Sequence, residues 1–132
     1  MNSIRTSNAN RLIIGQLNIN SLRYKFDALK TIISGKMDIL VITETKLDDT
    51  FPTNQFLIDG FSLPYRFNRD RRGDKGGGVF SYVREDIPCR ELKSHKIPDN
   101  FEGIFLEINL RKIKWLFFGG LLVGHRCNAF AQ

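Results

Sequence analysis

Apolar residues in this chain come in short runs separated by polar turns, and the runs differ in period. Leu12-Ile13-Ile14-Gly15-Gln16-Leu17 is nearly continuous until the side chains turn polar at Asn18-Ile19-Asn20-Ser21, which predicts a first strand ending near Asn18. Phe26, Leu29, Ile32 and Ile33 then fall at helical spacing, with Gly35 just beyond as a C-terminal cap, so an amphipathic helix follows. Ile39-Leu40-Val41-Ile42-Thr43, bounded by Asp38 and by the polar Lys46-Leu47-Asp48-Asp49, reads as a strand covered on both faces. A strand, helix and strand of this length imply a parallel pair joined by a right-handed crossover. Both strands of such a pair end on one edge, so Asn18 and Glu44 should lie near each other there.

Further on, Asp59-Gly60 marks a turn and the segment up to Phe67 reads as another strand. Gly76-Gly77-Gly78 leads into a strand at Val79-Phe80-Ser81-Tyr82-Val83. These glycines match no phosphate-loop spacing and suit a turn, a bulge or a close backbone approach. Ile87-Pro88 is read as closing a hairpin, and residues 91–100 as a polar connection. Ile104, Leu106, Ile108 and Leu110 alternate with Glu107 and Asn109, the pattern of a half-buried antiparallel strand; Arg111-Lys112 makes a turn and residues 113–118 return beside it. After Gly119-Gly120 the pattern lapses. The expected organisation is a loose tail over 1–10, one α/β (α+β, mixed-sheet) unit over 11–120, and a divergent tail over 121–132.

A charge has no place inside an apolar run, so Glu44 either leaves the sheet at its end or has a positive partner, of which a divalent metal is one kind. An amide and a carboxylate on one strand edge suit a hard cation and a phosphate oxygen, and ligands of open α/β sheets bind at that edge. Taken singly, Glu44 is also explained as a solvated strand-end acid and Asn18 as a strand terminator. The densest positive stretch is residues 66–75, where Arg66, Arg69, Arg71, Arg72 and Lys75 accompany two acidic residues. It reads either as a nucleic-acid grip or as a solvated loop.

Length bounds the answer to one domain or part of one: 132 residues suffice for a real core. Lys and Arg exceed Asp and Glu by 20 to 14, a net charge of +6 that favours an anionic partner. Cys89 and Cys127 lack metal-ligand spacing and fit free thiols in a reducing compartment. The polar amino terminus lacks the apolar core of a signal peptide, and no apolar run approaches the roughly 20 residues of a membrane span. An intracellular protein of the nucleus or cytoplasm, neither secreted nor membrane-bound, is expected. His95 and His125 have no partners at metal or triad spacing and read as ordinary loop histidines.

Leu17-Asn18-Ile19-Asn20-Ser21-Leu22, Phe26-Asp27-Ala28-Leu29 and Asp38 through Leu47, read together, resemble the start of an endonuclease/exonuclease/phosphatase domain, in particular the LINE-type (non-LTR) retrotransposon branch with its apurinic-endonuclease-like domain. Gly76-Gly77-Gly78-Val79 with Tyr82-Val83-Arg84, and Glu102 with Ile104, Leu106-Glu107-Ile108 and Lys114-Trp115-Leu116, continue the likeness in order, over roughly residues 11–119. The resemblance implies the amino-terminal half of a four-layer αββα sandwich and Mg²⁺-assisted hydrolysis of a phosphodiester in DNA. Glu44 matches the metal-ligand glutamate, and Asn18 the asparagine that orients metal and phosphate.

The family's later motifs are missing: a Tyr with a proline-containing loop after residues 113–118, an Asp-x-Asn that positions water, and a final Asp-His pair. A lost general base alone lowers a rate by about a hundred- to ten-thousandfold, so this chain is expected to be inactive by itself. A half sandwich also predicts an uncovered sheet face at Ile104, Leu106 and Ile108, and self-association through it. The rival readings are a non-catalytic nucleic-acid-binding module built on residues 66–75, and a phosphatase acting on inositol phosphates or lipids.

Overall fold

The parallel pair forms as the pattern predicts. In the computed structural model, β1 (Ile14–Asn18) pairs with β2 (Ile39–Thr43) in register from Ile14 opposite Ile39 to Asn18 opposite Thr43, and α1 (Leu22–Ile33) connects them. The structure describes residues 12–33, 37–68, 77–93, 101–110, 112–122 and 130–131; at 101–102, 121–122 and 130–131 it describes the backbone alone. Gly35, the expected helix cap, and the tail over 1–10 lie outside these residues.

β3 (Tyr65–Phe67) and β4 (Val79–Val83) complete a four-stranded mixed sheet in the order β1-β2-β4-β3, with β4 antiparallel to both neighbours. A second, antiparallel sheet has the order β5-β6-β7-β8, formed by Cys89–Glu91, Phe101–Leu110, Ile113–Leu122 and Phe130–Ala131. The class is therefore α+β with two packed sheets.

Strand alternation explains the layers, because successive side chains of a strand point to opposite faces. Leu40 and Ile42 of β2 and Phe80 and Tyr82 of β4 meet the helix through Leu22, Leu29 and Ile33. Phe56, from a 3₁₀ turn at Thr53–Phe56, fills the gap edge-on to Phe26 and Phe80, with ring centroids 5.3 and 5.7 Å apart. Ile39, Val41, Val79 and Val83 point the other way, onto Ile104, Leu106, Ile108 and Phe117 of the second sheet. All of these inter-sheet residues are at most 2% exposed, and each such aliphatic contributes about 1.5–3 kcal/mol relative to exposure.

The expected bare face at Ile104, Leu106 and Ile108 is thus corrected: the chain's own first sheet covers them, and they give no surface for self-association. Among the described residues, the exposed large apolar side chains of the second sheet are instead Ile113, Trp115 and Leu116, toward the β6–β7 turn.

Three boundaries also differ from the sequence reading. α1 starts at Leu22, four residues before Phe26, because Leu22 is fully buried and sets the stripe Leu22, Phe26, Leu29, Ile33; Ile32 falls off that stripe and is 51% exposed. Ile87-Pro88 closes no hairpin but carries the chain from β4 in the first sheet to β5 in the second. β7 runs on through Gly119-Gly120 to Leu122, past the expected strand end at 118. A Cβ on Gly119 would lie 2.7 Å from Val41 Cγ2, so the residue that interrupts the apolar pattern is the one that lets the sheets approach.

Asp38, fully buried at the start of β2, ties the other end of the first sheet together. Its Oδ2 accepts from Ile13 N at 2.8 Å, its Oδ1 lies 3.7 Å from Arg84 Nε, and its carbonyl accepts from Arg84 N at 2.9 Å.

Candidate functional site at the carboxyl ends of the parallel strands

β2 leaves the sheet immediately after Thr43. Glu44 adopts φ 53°, in the left-handed region, and is half-buried. The register that sets Asn18 opposite Thr43 brings the two expected residues together: Asn18 Nδ2 donates a hydrogen bond to Glu44 Oε2. The carboxylate is therefore a strand-end acid with an amide donor across the rim.

The backbone around this pair is unusual. Of the five described non-glycine residues with positive φ, four sit here: Asn20 at 50°, Ser21 at 85°, Glu44 at 53° and Lys46 at 59°; the fifth is Lys112 in the β6–β7 turn. Such conformations cost on the order of 1 kcal/mol or more each and persist only where surrounding bonds dictate them. Those bonds are present. Ile19 N, Ser21 N and Leu22 N donate to the carbonyls of Thr43, Glu44 and Thr45 at 3.0, 2.9 and 3.0 Å. On the far side, Thr45 N and Lys46 N donate to Gly78 O and Gly77 O at 3.2 and 2.8 Å.

Residues 43–46 are thus clasped between the loop after β1 and the glycines before β4. Gly78, at φ 95°, has no room for a side chain: a Cβ there would collide with Thr45 Oγ1. This is the close backbone approach that the glycine run suggests. Lys25 closes the loop from the helix side, its Nζ donating to the carbonyls of Ile19 and Asn20 at 2.9 and 3.0 Å.

Among the described residues no group of three His, Cys, Asp or Glu side chains is placed to hold a metal ion. The rim offers one carboxylate and one amide, both hard oxygen donors. That set fits Mg²⁺, which keeps several waters and takes few protein ligands, and it does not fit a soft or fully caged ion.

Of the five basic residues read as a nucleic-acid grip, Arg69, Arg71, Arg72 and Lys75 lie outside the described residues. Arg66 is described, and its guanidinium is committed inward. Nε donates to Asn68 Oδ1 at 2.7 Å, Nη1 to Phe51 O and Thr53 Oγ1 at 2.7 and 2.9 Å, and Nη2 to Asp48 O at 2.8 Å, while the group lies over the Phe80 ring. Burial pulls its pKa down from the ordinary value, with Asp48 and Asp49 opposing. Arg66 clamps the loop after β2 onto β3 and β4, and a phosphate would have to displace those bonds.

His95, His125 and Cys127 also lie outside the described residues. Cys89 carries no disulfide, and burial pushes its thiol pKa up. The sequence reading missed Lys25 and a cleft between Arg23, Tyr24 and Phe51. Arg23 lies over the rings of Tyr24 and Phe51, 4.6 and 5.3 Å from their centroids, at the mouth of a cavity of about 320 Å³. The available signal was a basic and aromatic triplet, Arg23-Tyr24-Lys25, next to the polar Asn18-Ile19-Asn20-Ser21.

Comparison with protein-family models and with curated proteins finds no match to this chain. No helix among the described residues is long and apolar enough to cross a membrane.

Proposed function

We propose that the Asn18–Glu44 rim is part of a metal-dependent phosphodiesterase site of the endonuclease/exonuclease/phosphatase kind, of retroelement origin and directed at DNA. The observation that carries this reading is the hydrogen bond between Asn18 and Glu44 at the carboxyl ends of a parallel pair, on a backbone held in left-handed conformations by bonds from both sides. Strain kept at a strand edge where ligands of such sheets bind supports a functional rather than a decorative acid.

Glu44 would hold Mg²⁺, and Asn18, through its amide, would orient the carboxylate and a phosphate oxygen. Bound there, the ion supplies Lewis-acid polarisation of the phosphoryl group. The chain's own residues position and neutralise: Glu44 carries the charge, Asn18 fixes its rotamer, and Lys25 holds the loop that presents Asn18. No Asp-x-Asn and no Asp-His pair exists anywhere in the sequence to activate water, so binding without appreciable turnover is the expected behaviour of this chain alone.

The test combines Mn²⁺ titration followed by electron paramagnetic resonance with nicking of supercoiled plasmid. Binding of Mn²⁺ that Mg²⁺ displaces and that Glu44→Gln abolishes supports the reading; any nicking must vanish with the same variant. Mn²⁺ binding unchanged by Glu44→Gln sinks it.

A second reading, a nucleic-acid-binding module without cleavage, is favoured by the net charge of +6 and the basic residues 69–75. With Arg66 engaged internally, it rests on Arg69, Arg71, Arg72 and Lys75. It requires an affinity that falls steeply with salt and drops when those four become Ala.

A further inference from the structure

We infer that the cleft between the first turn of α1 and the loop after β2 is a stacking site for an unpaired nucleobase of a strand whose backbone crosses the rim. The inference rests on the proposed phosphate-directed reading of the rim and specifies single-stranded or locally opened nucleic acid as its substrate class.

Position is the first argument. Ser21 N and Leu22 N are bonded to the carbonyls of Glu44 and Thr45, so the start of α1 is fixed against the rim. Arg23 follows Leu22 directly, and its Cα lies at most about 7.6 Å from that of Ser21. The helix turn that carries Arg23 and Tyr24 therefore adjoins the backbone that carries Glu44.

Chemistry is the second. The cavity of about 320 Å³ is lined by Arg23, Tyr24, Phe51 and Gln55 together with Phe26, Phe56 and the exposed Asp27 carboxylate, and lies within the size range of small-ligand sites, roughly 300–1,000 Å³. Tyr24 is 74% exposed although it stands in the first turn of a helix otherwise anchored by buried Leu22. The Arg23 guanidinium lies over both the Tyr24 ring and that of Phe51, which gathers a cation and two aromatic faces at one opening. Bases stack on aromatic rings and guanidinium planes irrespective of sequence, whereas paired bases inside a duplex present no face to such a platform. Gln55, exposed at the same opening, offers an amide donor and acceptor to a base edge.

The experiment measures anisotropy of three fluorescein-labelled probes of equal length: a mixed-sequence single strand, the same backbone with tetrahydrofuran abasic sites throughout, and a duplex. The wild-type chain should prefer the single strand. Tyr24→Leu, a change at an exposed position, should weaken it about tenfold while Tyr24→Phe retains it, and the abasic strand should bind all three proteins alike. An unaffected single-strand affinity, equal weakening of the abasic strand, or a wild-type preference for duplex overturns the inference. Mn²⁺ titration keeps it separate from the rim. If Glu44→Gln abolishes Mn²⁺ binding while Tyr24→Leu changes nothing, the stacking site falls alone. If stacking survives without Mn²⁺ binding in the wild type, the metal reading falls and the base site stands.

Discussion

Replacing Gly78 by alanine isolates how the rim is held. Gly78 and Gly60 share a left-handed backbone, φ 95° and 88°, but differ in their surroundings: a Cβ on Gly60 meets nothing within 4 Å, whereas one on Gly78 collides with Thr45 Oγ1. The conformational penalty for a non-glycine residue is about 1–2 kcal/mol, offset by about 0.4–1 kcal/mol from the stiffer unfolded chain. Gly60→Ala should therefore cost about 1 kcal/mol. Gly78→Ala carries the same term plus overpacking of about 1–3 kcal/mol, because Thr45 is fully buried and β-branched and has little freedom to yield. The total is about 2–4 kcal/mol, or a fall in melting temperature of about 8–16 °C at this chain length.

Thr45→Ala supplies the control. Beyond Thr45 Oγ1, the nearest atoms to a Gly78 Cβ are at 3.4 and 3.5 Å, ordinary contacts. In the Thr45→Ala background the cost of Gly78→Ala should drop to that of Gly60→Ala, giving a coupling of about 1–3 kcal/mol in a double-mutant cycle read by urea denaturation. Equal costs for Gly78→Ala and Gly60→Ala in the wild-type background, or a Gly78→Ala cost that Thr45→Ala leaves unchanged, would refute the close approach as what seats Gly78 against the rim.

Asp38→Ala removes a buried carboxylate that accepts Ile13 N and faces Arg84; a loss of about 2–3 kcal/mol in denaturant titration is expected. Tyr82→Phe leaves the Phe56 carbonyl without the buried phenol that donates to it at 2.6 Å, and calorimetry should show about 1–2 kcal/mol lost. Thr43→Val and Ser81→Ala delete hydroxyls that are buried with no hydrogen-bond partner among the described residues, so each should leave stability unchanged or raise it by about 1 kcal/mol; a clear loss would reveal a partner for that hydroxyl. Arg90 holds the Glu107 carboxyl below its ordinary value. A depressed carboxyl contributes stability that is present above its unfolded pKa and is lost as pH falls through the folded one. NMR titration should place Glu107 below the ordinary glutamate range, and Arg90→Ala should bring it back up.

The sequence carried the part of the site that depends on local period. A continuous apolar run, a helical stripe and a second run define a parallel pair, and the parallel register alone puts Asn18 beside Glu44. It did not carry what depends on contacts between distant segments. Nothing local distinguishes Arg66 from its basic neighbours; only the fold places Asp48, Phe51 and Thr53 around its guanidinium. The glycines at 119–120 read as the end of a pattern because a period counts side chains, while their role is to lack one opposite Val41. The cover over Ile104, Leu106 and Ile108 is hidden for a related reason: a period shows that β2 is covered on both faces, but not that the layer on its second face is β6 of the same chain.

The same two-sided burial shapes the rim. Val41 and Thr43 face the second sheet while Leu40 and Ile42 face the helix, so β2 is held from both sides up to its last residue and Glu44 is the first position free of the sheet pattern. An acid one residue earlier would be buried between layers; one a few residues later would ride on a loop. Placement directly after the last residue of β2 gives the carboxylate a rigid base and an open side. The left-handed turn there reorients the chain within one residue, and the bonds from residues 19–22 and 77–78 stop it relaxing. Stability at Gly78 and the geometry of Glu44 are consequently linked, and a variant that loosens the clasp should weaken the proposed Mn²⁺ binding at the rim.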